Sequence, residues 1–139
     1  VNVASMASIA PPANLSAYVA SKYAVEGLSE VLAMEFQGAG IAVSCLHPGV
    51  INTAIVQDSS RTHMAPEEVA RLQRHYLEHG DHPRVVAQDI ANGVMKGAGT
   101  ILSGTGVARI AFMKRLLPRR TFRKLLIDAS RKMGYLPLK

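Results

Sequence analysis

Six consecutive, mostly apolar residues, Ile41-Ala42-Val43-Ser44-Cys45-Leu46, stand between Gly40 and Pro48-Gly49. A run this short, without polar alternation and with turn residues at both ends, suits a strand buried on both faces. Such strands belong to parallel sheets covered by helices. The residues ahead of it agree. From about Ala17 to Gln37 the chain is rich in Ala, Leu, Glu and Met, and Ala24, Leu28, Val31, Leu32 and Glu35 keep helical spacing. Asn14 or Ser16 is placed to cap that helix, and Gly38 and Gly40 to end it. Before it, Val1–Val3 reads as the end of a strand running into a loop that Pro11-Pro12 keeps out of helix. Strand, helix, strand is a βαβ unit.

The rest extends the pattern. Pro66-Glu67-Glu68 opens a helix to about Glu78, with acids at its positive end. Gly80-Asp81-His82-Pro83 breaks it, and a second helix runs from Arg84 to Lys96. Thr100–Ser103 is a short strand between glycines. Helices are expected on both sides of Pro118, and on the second Phe122, Leu125, Leu126, Ala129 and Met133 form one apolar stripe. The expected fold class is α/β, with a doubly wound parallel sheet. The chain opens on strand-like residues at Val1. We therefore expect no signal peptide in it, and we expect it to be the C-terminal part of such a sheet, with N-terminal strands missing.

Charge divides the chain. Residues 1–106 carry six Lys and Arg against nine Asp and Glu, whereas residues 107–139 carry ten against Asp128 alone. The basicity lies in the tail. It is read as a solvated face or as a contact for a membrane surface or acidic partner. Nucleic acid is not expected, because Phe112 and Phe122 make no aromatic–basic repeat. No apolar run approaches the roughly 20 residues that span a bilayer. The single Cys45 excludes an internal disulfide.

Tyr18 and Lys22 are four residues apart on the expected helix and so share a face. A cation beside a phenol favours its phenolate, which suits proton exchange with an alcohol or carbonyl near neutral pH. Ser5 lies at the C-terminal end of the preceding strand, where ligands bind in open parallel sheets. It is placed to meet Tyr18 over one substrate oxygen.

Three stretches occur in order: Asn2-Val3-Ala4-Ser5-Met6-Ala7, Tyr18-Val19-Ala20-Ser21-Lys22-Tyr23-Ala24 and Pro48-Gly49-Val50-Ile51-Asn52-Thr53. Together they resemble the C-terminal half of a classical short-chain dehydrogenase/reductase, closely over about residues 1–55 and loosely over 56–106. The resemblance implies a Rossmann-like domain over residues 1–106, followed by a basic amphipathic helical tail over 107–139. It implies NAD(P)-dependent interconversion of an alcohol with a ketone or aldehyde. Tyr18 would be the general acid/base, Ser5 would hold the substrate oxygen, and Lys22 would hold the nicotinamide ribose. Pro48-Gly49 would turn the chain beneath the nicotinamide, with Val50, Ile51 and Thr53 fixing its carboxamide. Tyr18 and Lys22 thus also border the cofactor.

Some family features differ or are absent. Ser8 stands where the family usually has Gly, and Ala4 where a second Ser is common. The Gly-rich turn for the cofactor pyrophosphate is not in this sequence, nor is the residue that separates NAD from NADP. The alternative reading is therefore a truncated, non-catalytic fragment or binding module that keeps the fold. We expect the isolated chain to be unstable or inactive.

Other residues invite functional readings. His75, His79 and His82 have near-metal spacing but read as surface histidines, and no metal site is expected. His47 is a spacer or a border of the pocket. Cys45 reads as a small core residue. Met64, Val69, Leu72 and Leu77 line an apolar pocket or pack a helix on the body. The tail also resembles extensions in family members that handle bulky hydrophobic substrates. A homo-oligomer is expected from the family, with Ala17, Ala20 and Ala24 permitting close helix approach. The expected location is cytoplasmic, with peripheral membrane contact through the tail.

Overall fold

The computed structural model describes residues 1–57 and 65–137. Three short parallel strands form the centre: β1 (Asn2–Val3), β2 (Cys45–Pro48) and β3 (Thr100–Ser103), in that spatial order. The 20-residue helix α1 (Ser16–Glu35) connects β1 to β2. Between β2 and β3 come α2 (Ala54–Gln57), α3 (Pro66–His79) and α4 (Pro83–Met95). Two helices follow β3, α5 (Val107–Leu116) and α6 (Arg119–Met133). The α/β class and parallel sheet agree with the sequence.

Strand β2 begins four residues later than its apolar run. Its register explains this: Cys45 pairs with Asn2 on one side and Thr100 on the other. Ile41 lies ahead of both neighbours' first paired residues and is 55% exposed. Apolar content alone does not make a strand; a ladder partner does. Where β2 is flanked on both sides it is buried, and Leu46, paired with Ile101 of β3, belongs with Val107 of α5 to the buried core.

Helix α1 docks on β1 through a small residue. Ser29 is buried, donates to the Val25 carbonyl at 2.6 Å and accepts from Asn2 Nδ2 at 3.1 Å. Neither expected cap serves this helix. Leu15 holds the cap position without a side-chain bond, and Ser16 is already helical. Asn14 sits in the left-handed region at φ 59. Its amide is committed elsewhere, donating to the Tyr135 carbonyl at 2.6 Å.

That bond shows that residues 107–137 are fastened to the body. The Ala13 amide donates to Ser130 Oγ at 3.1 Å, and Arg71 Nη2 to the Leu136 carbonyl at 3.2 Å. Helix α6 ends at Gly134, φ 96, where the Tyr135 amide bonds back to the Ser130 carbonyl at 2.8 Å. A Cβ on Gly134 would stand 2.6 Å from the Glu68 carbonyl, so only glycine lets this turn rest on α3.

Candidate active site

Ser5 is set by the turn it starts. It precedes the 3-10 turn Met6–Ser8, and its Oγ accepts from the Ala7 amide at 3.1 Å. Its own hydroxyl hydrogen has no acceptor among the described residues. Beneath it, the buried Ser8 Oγ donates to the Ser5 carbonyl at 2.8 Å. His47 Nδ1 lies 3.1 Å from Ser8 Oγ and 3.3 Å from the Ser5 carbonyl. His47 is only 2% exposed and packs under the Ser5 turn. It is therefore not a border of the cavity, as one sequence reading had it. The hydroxyl of Ser8, at the family's usual glycine, gives that imidazole a partner.

Tyr18 and Lys22 stand one turn apart on α1. The Lys22 ammonium is 5.7 Å from the centre of the Tyr18 ring and donates to the Val3 carbonyl at 3.1 Å. This bond ties the helix face to the end of β1. Tyr18 is 44% exposed.

The third segment is held from behind. The Gly49 amide donates to the Ser103 carbonyl at 2.9 Å, and a Cβ on Gly49 would meet Val107 Cγ2 at 2.6 Å. The turn is thus glycine because α5 packs against it. Asp81, in the turn between α3 and α4, donates its amide to the Val50 carbonyl at 2.9 Å and accepts from the Asn52 amide at 3.0 Å. Its carboxylate is fixed in turn by the Thr105 hydroxyl at 2.8 Å. Val50 and Ile51 keep amides without a protein partner among the described residues.

All eight residues singled out from the sequence face one cavity of about 1010 Å³: Ser5, Tyr18, Lys22, Pro48, Gly49, Val50, Ile51 and Thr53. Its far wall is mainly apolar. Val69 and Leu72 of α3 line it, with the whole α6 stripe of Phe122, Leu125, Leu126, Ala129 and Met133. Leu77 does not; it faces away and is 58% exposed, because it falls off the helix face that carries Val69, Leu72 and Tyr76. Met64 lies outside the described residues.

Two lining residues carried no functional signal in the sequence. Tyr76 of α3 and Tyr135 after α6 bring their hydroxyls to 3.2 Å of each other. Burial pushes both phenols up from the usual range. Leu72 and Tyr76 are four apart, which marks a shared face, but nothing local pairs Tyr76 with a residue 59 positions away.

The remaining candidates lie elsewhere. The His75 and His79 rings stack at 4.7 Å, and burial with the neighbouring His79 lowers the His75 pKa. His82 instead caps α4, accepting from the Arg84 amide at 3.1 Å. Among the described residues no group of three potential ligands is placed to hold a metal. Cys45 is a buried strand residue whose thiol burial pushes up. No helix among the described residues is long and apolar enough to cross a membrane.

Comparison with known proteins meets this geometry. The sequence pattern of the short chain dehydrogenase family matches residues 1–64, the stretch that supplies Ser5, Tyr18, Lys22 and the Pro48–Thr53 turn. The cyclohexanol dehydrogenase of Acinetobacter sp. (strain SE19) is 34% identical over 91 residues, covering 66% of this chain and 34% of that protein. Estradiol 17-beta-dehydrogenase 11 of Macaca fascicularis is 29% identical across 97% of this chain and 43% of its own length. Dehydrogenase/reductase SDR family member 7B of Danio rerio is 29% identical across 86% and 38%. The chain thus spans between a third and a half of the length of these relatives. No solved structure matches it. The matched stretch contains all eight of the residues singled out from the sequence that face the cavity, and on that agreement the chain belongs to the short-chain dehydrogenase/reductase family.

Proposed function

We propose that this chain supplies the catalytic part of an NAD(P)-dependent oxidoreductase that interconverts a bulky hydrophobic alcohol with its ketone or aldehyde. The observation that carries the reading is the single cavity onto which Ser5, Tyr18 and Lys22 open together with a broad apolar wall. Three polar groups together with a mainly apolar wall suit a substrate with a reacting oxygen and a large apolar body.

The residues present fit the nicotinamide end of a dinucleotide. Lys22 would hold the ribose hydroxyls. The unpartnered amides of Val50 and Ile51, with the Thr53 hydroxyl, would hold the carboxamide above Pro48-Gly49. When bound, such a cofactor supplies or accepts the hydride. The chain's own part is the proton. The uncommitted Ser5 hydroxyl donates a hydrogen bond to the substrate oxygen and orients it. In reduction the Tyr18 hydroxyl gives its proton to that oxygen; in oxidation the Tyr18 oxygen takes the proton from the alcohol. The Lys22 ammonium adds positive potential beside the phenol as charge develops there.

Two surfaces bear on partners. Ala17, Ala20 and Ala24 lie exposed on α1 beside exposed Leu28 and Val31, which supports a homo-oligomeric contact along this helix. On α5, exposed Phe112 and Leu116 flank Lys114 and Arg115, which supports peripheral contact with a membrane surface.

Tyr18→Phe tests the reading in the protein as its gene encodes it. Turnover of a hydrophobic ketone with NADH or NADPH should fall by about 10²–10⁴-fold. Near-normal turnover would overturn the assignment. Absence of nucleotide binding in the unsubstituted protein would favour the non-catalytic alternative.

A further inference from the structure

The proton transfer just described leaves one polar spot of the cavity unused. Tyr76 and Tyr135 both face the cavity that Tyr18 faces, and their hydroxyls are 3.2 Å apart. Two phenols carry two hydrogens. One lies in their mutual bond, whichever ring donates. The other has no acceptor among the described residues. A phenol O–H at the wall of a mainly apolar cavity is costly to leave unpaired, so the pair calls for an oxygen from outside the protein.

The pair is firmly built. Tyr135 is 6% exposed, with its carbonyl bound by Asn14 and its amide by Ser130. Gly134, just before it, rests on the α3 backbone at Glu68, and Tyr76 lies two turns further along that helix. The same Asn14 leads into α1, which carries Tyr18. The donor and the reacting end are therefore fixed relative to each other. Both phenols remain protonated well beyond neutral pH because burial disfavours their ionised forms, so the pair is a permanent donor. Their ionisation is also sensitive to charge on Tyr18, which puts them within its electrostatic reach.

We propose that Tyr76 and Tyr135 form a second polar subsite, which hydrogen-bonds a keto or hydroxyl oxygen other than the reacting one. Preferred substrates are then hydrophobic alcohols or ketones that carry a second oxygen, not simple hydrocarbon alcohols. This rests on the oxidoreductase reading and narrows its substrate class. A substrate without the second oxygen displaces solvent from the phenol pair and leaves its hydrogen unpaired, whereas one that has it does not.

The test compares decalone with decalindione, which share a carbon skeleton, in the protein as its gene encodes it. Binding is read by calorimetry, and turnover with NADH or NADPH is read in parallel. The dione should bind roughly tenfold tighter. Tyr76→Phe combined with Tyr135→Phe should bring the ratio to about the twofold that two equivalent carbonyls give statistically. Tyr76→Phe alone, at the less buried position, should lower it partway. Equal binding of the two ketones by the unsubstituted protein overturns the subsite, whatever the turnover. So does a preference that survives the double substitution. Preferential binding lost in the variants, but without turnover of either ketone, supports the subsite and overturns the oxidoreductase reading alone.

Discussion

The two sides of the cavity are held by different kinds of contact. On the strand-end side, Lys22 reaches Val3, 19 residues back, and Ser5 is fixed by its own turn. On the tail side, Asn14 reaches Tyr135 across 121 residues and Ala13 reaches Ser130 across 117. The first side carries Ser5, Tyr18 and Lys22 and is assembled mainly from one stretch of chain. The second gives the cavity its shape and is assembled from opposite ends of the chain. The contrast teaches that the polar end and the apolar wall of this cavity are built separately. Ser5, Tyr18 and Lys22, to which the proposed function gives the proton, sit in a local unit, and much of the apolar wall arrives with α6.

The sharpest way to break this contrast is to release the far side. Gly134→Ala places a Cβ against the Glu68 carbonyl in a left-handed turn, and should destabilise the protein by about 2–3 kcal/mol. Urea denaturation would show it, and an unchanged midpoint would mean that the tail adds no stability to the body. A milder change sharpens it. Leu126 lines the cavity from α6, so Leu126→Trp should lower kcat/KM about tenfold for a bulky ketone and little for a small one. An equal loss for both would tie the tail to the chemistry as well. The smallest effect is alkaline. Above the ordinary phenol pKa near 10, an unfolded chain releases protons that folded Tyr76 and Tyr135 retain. The unfolded state then binds fewer protons, so stability should fall as pH rises past about 10, and Tyr135→Phe should flatten the slope. Thermal melts across that range would measure both slopes.

What the sequence revealed follows the same division. Strand β3 spans Thr100–Ser103, bounded by glycines, and the α6 stripe faces the cavity with every member. Both are local patterns of period and punctuation. Ser5, Tyr18 and Lys22 could be read together because a βαβ unit sends strand end and helix face to one place. The start of β2 could not, since it depends on where two other strands begin. Nor could the use of Asn14, whose side chain answers to a carbonyl at the other end of the chain instead of the helix beside it. The Tyr76–Tyr135 pair was hidden for that reason too.

The bonding beneath Ser5 gives a buried imidazole a structural part. A carbonyl oxygen only accepts, so the Ser8 hydroxyl hydrogen goes to the Ser5 carbonyl and is not available to His47. With that hydrogen so placed, the imidazole nitrogen facing both oxygens meets them as a donor. A ring so committed is a strut. It braces the turn that carries Ser5 and stays out of the cavity's lining.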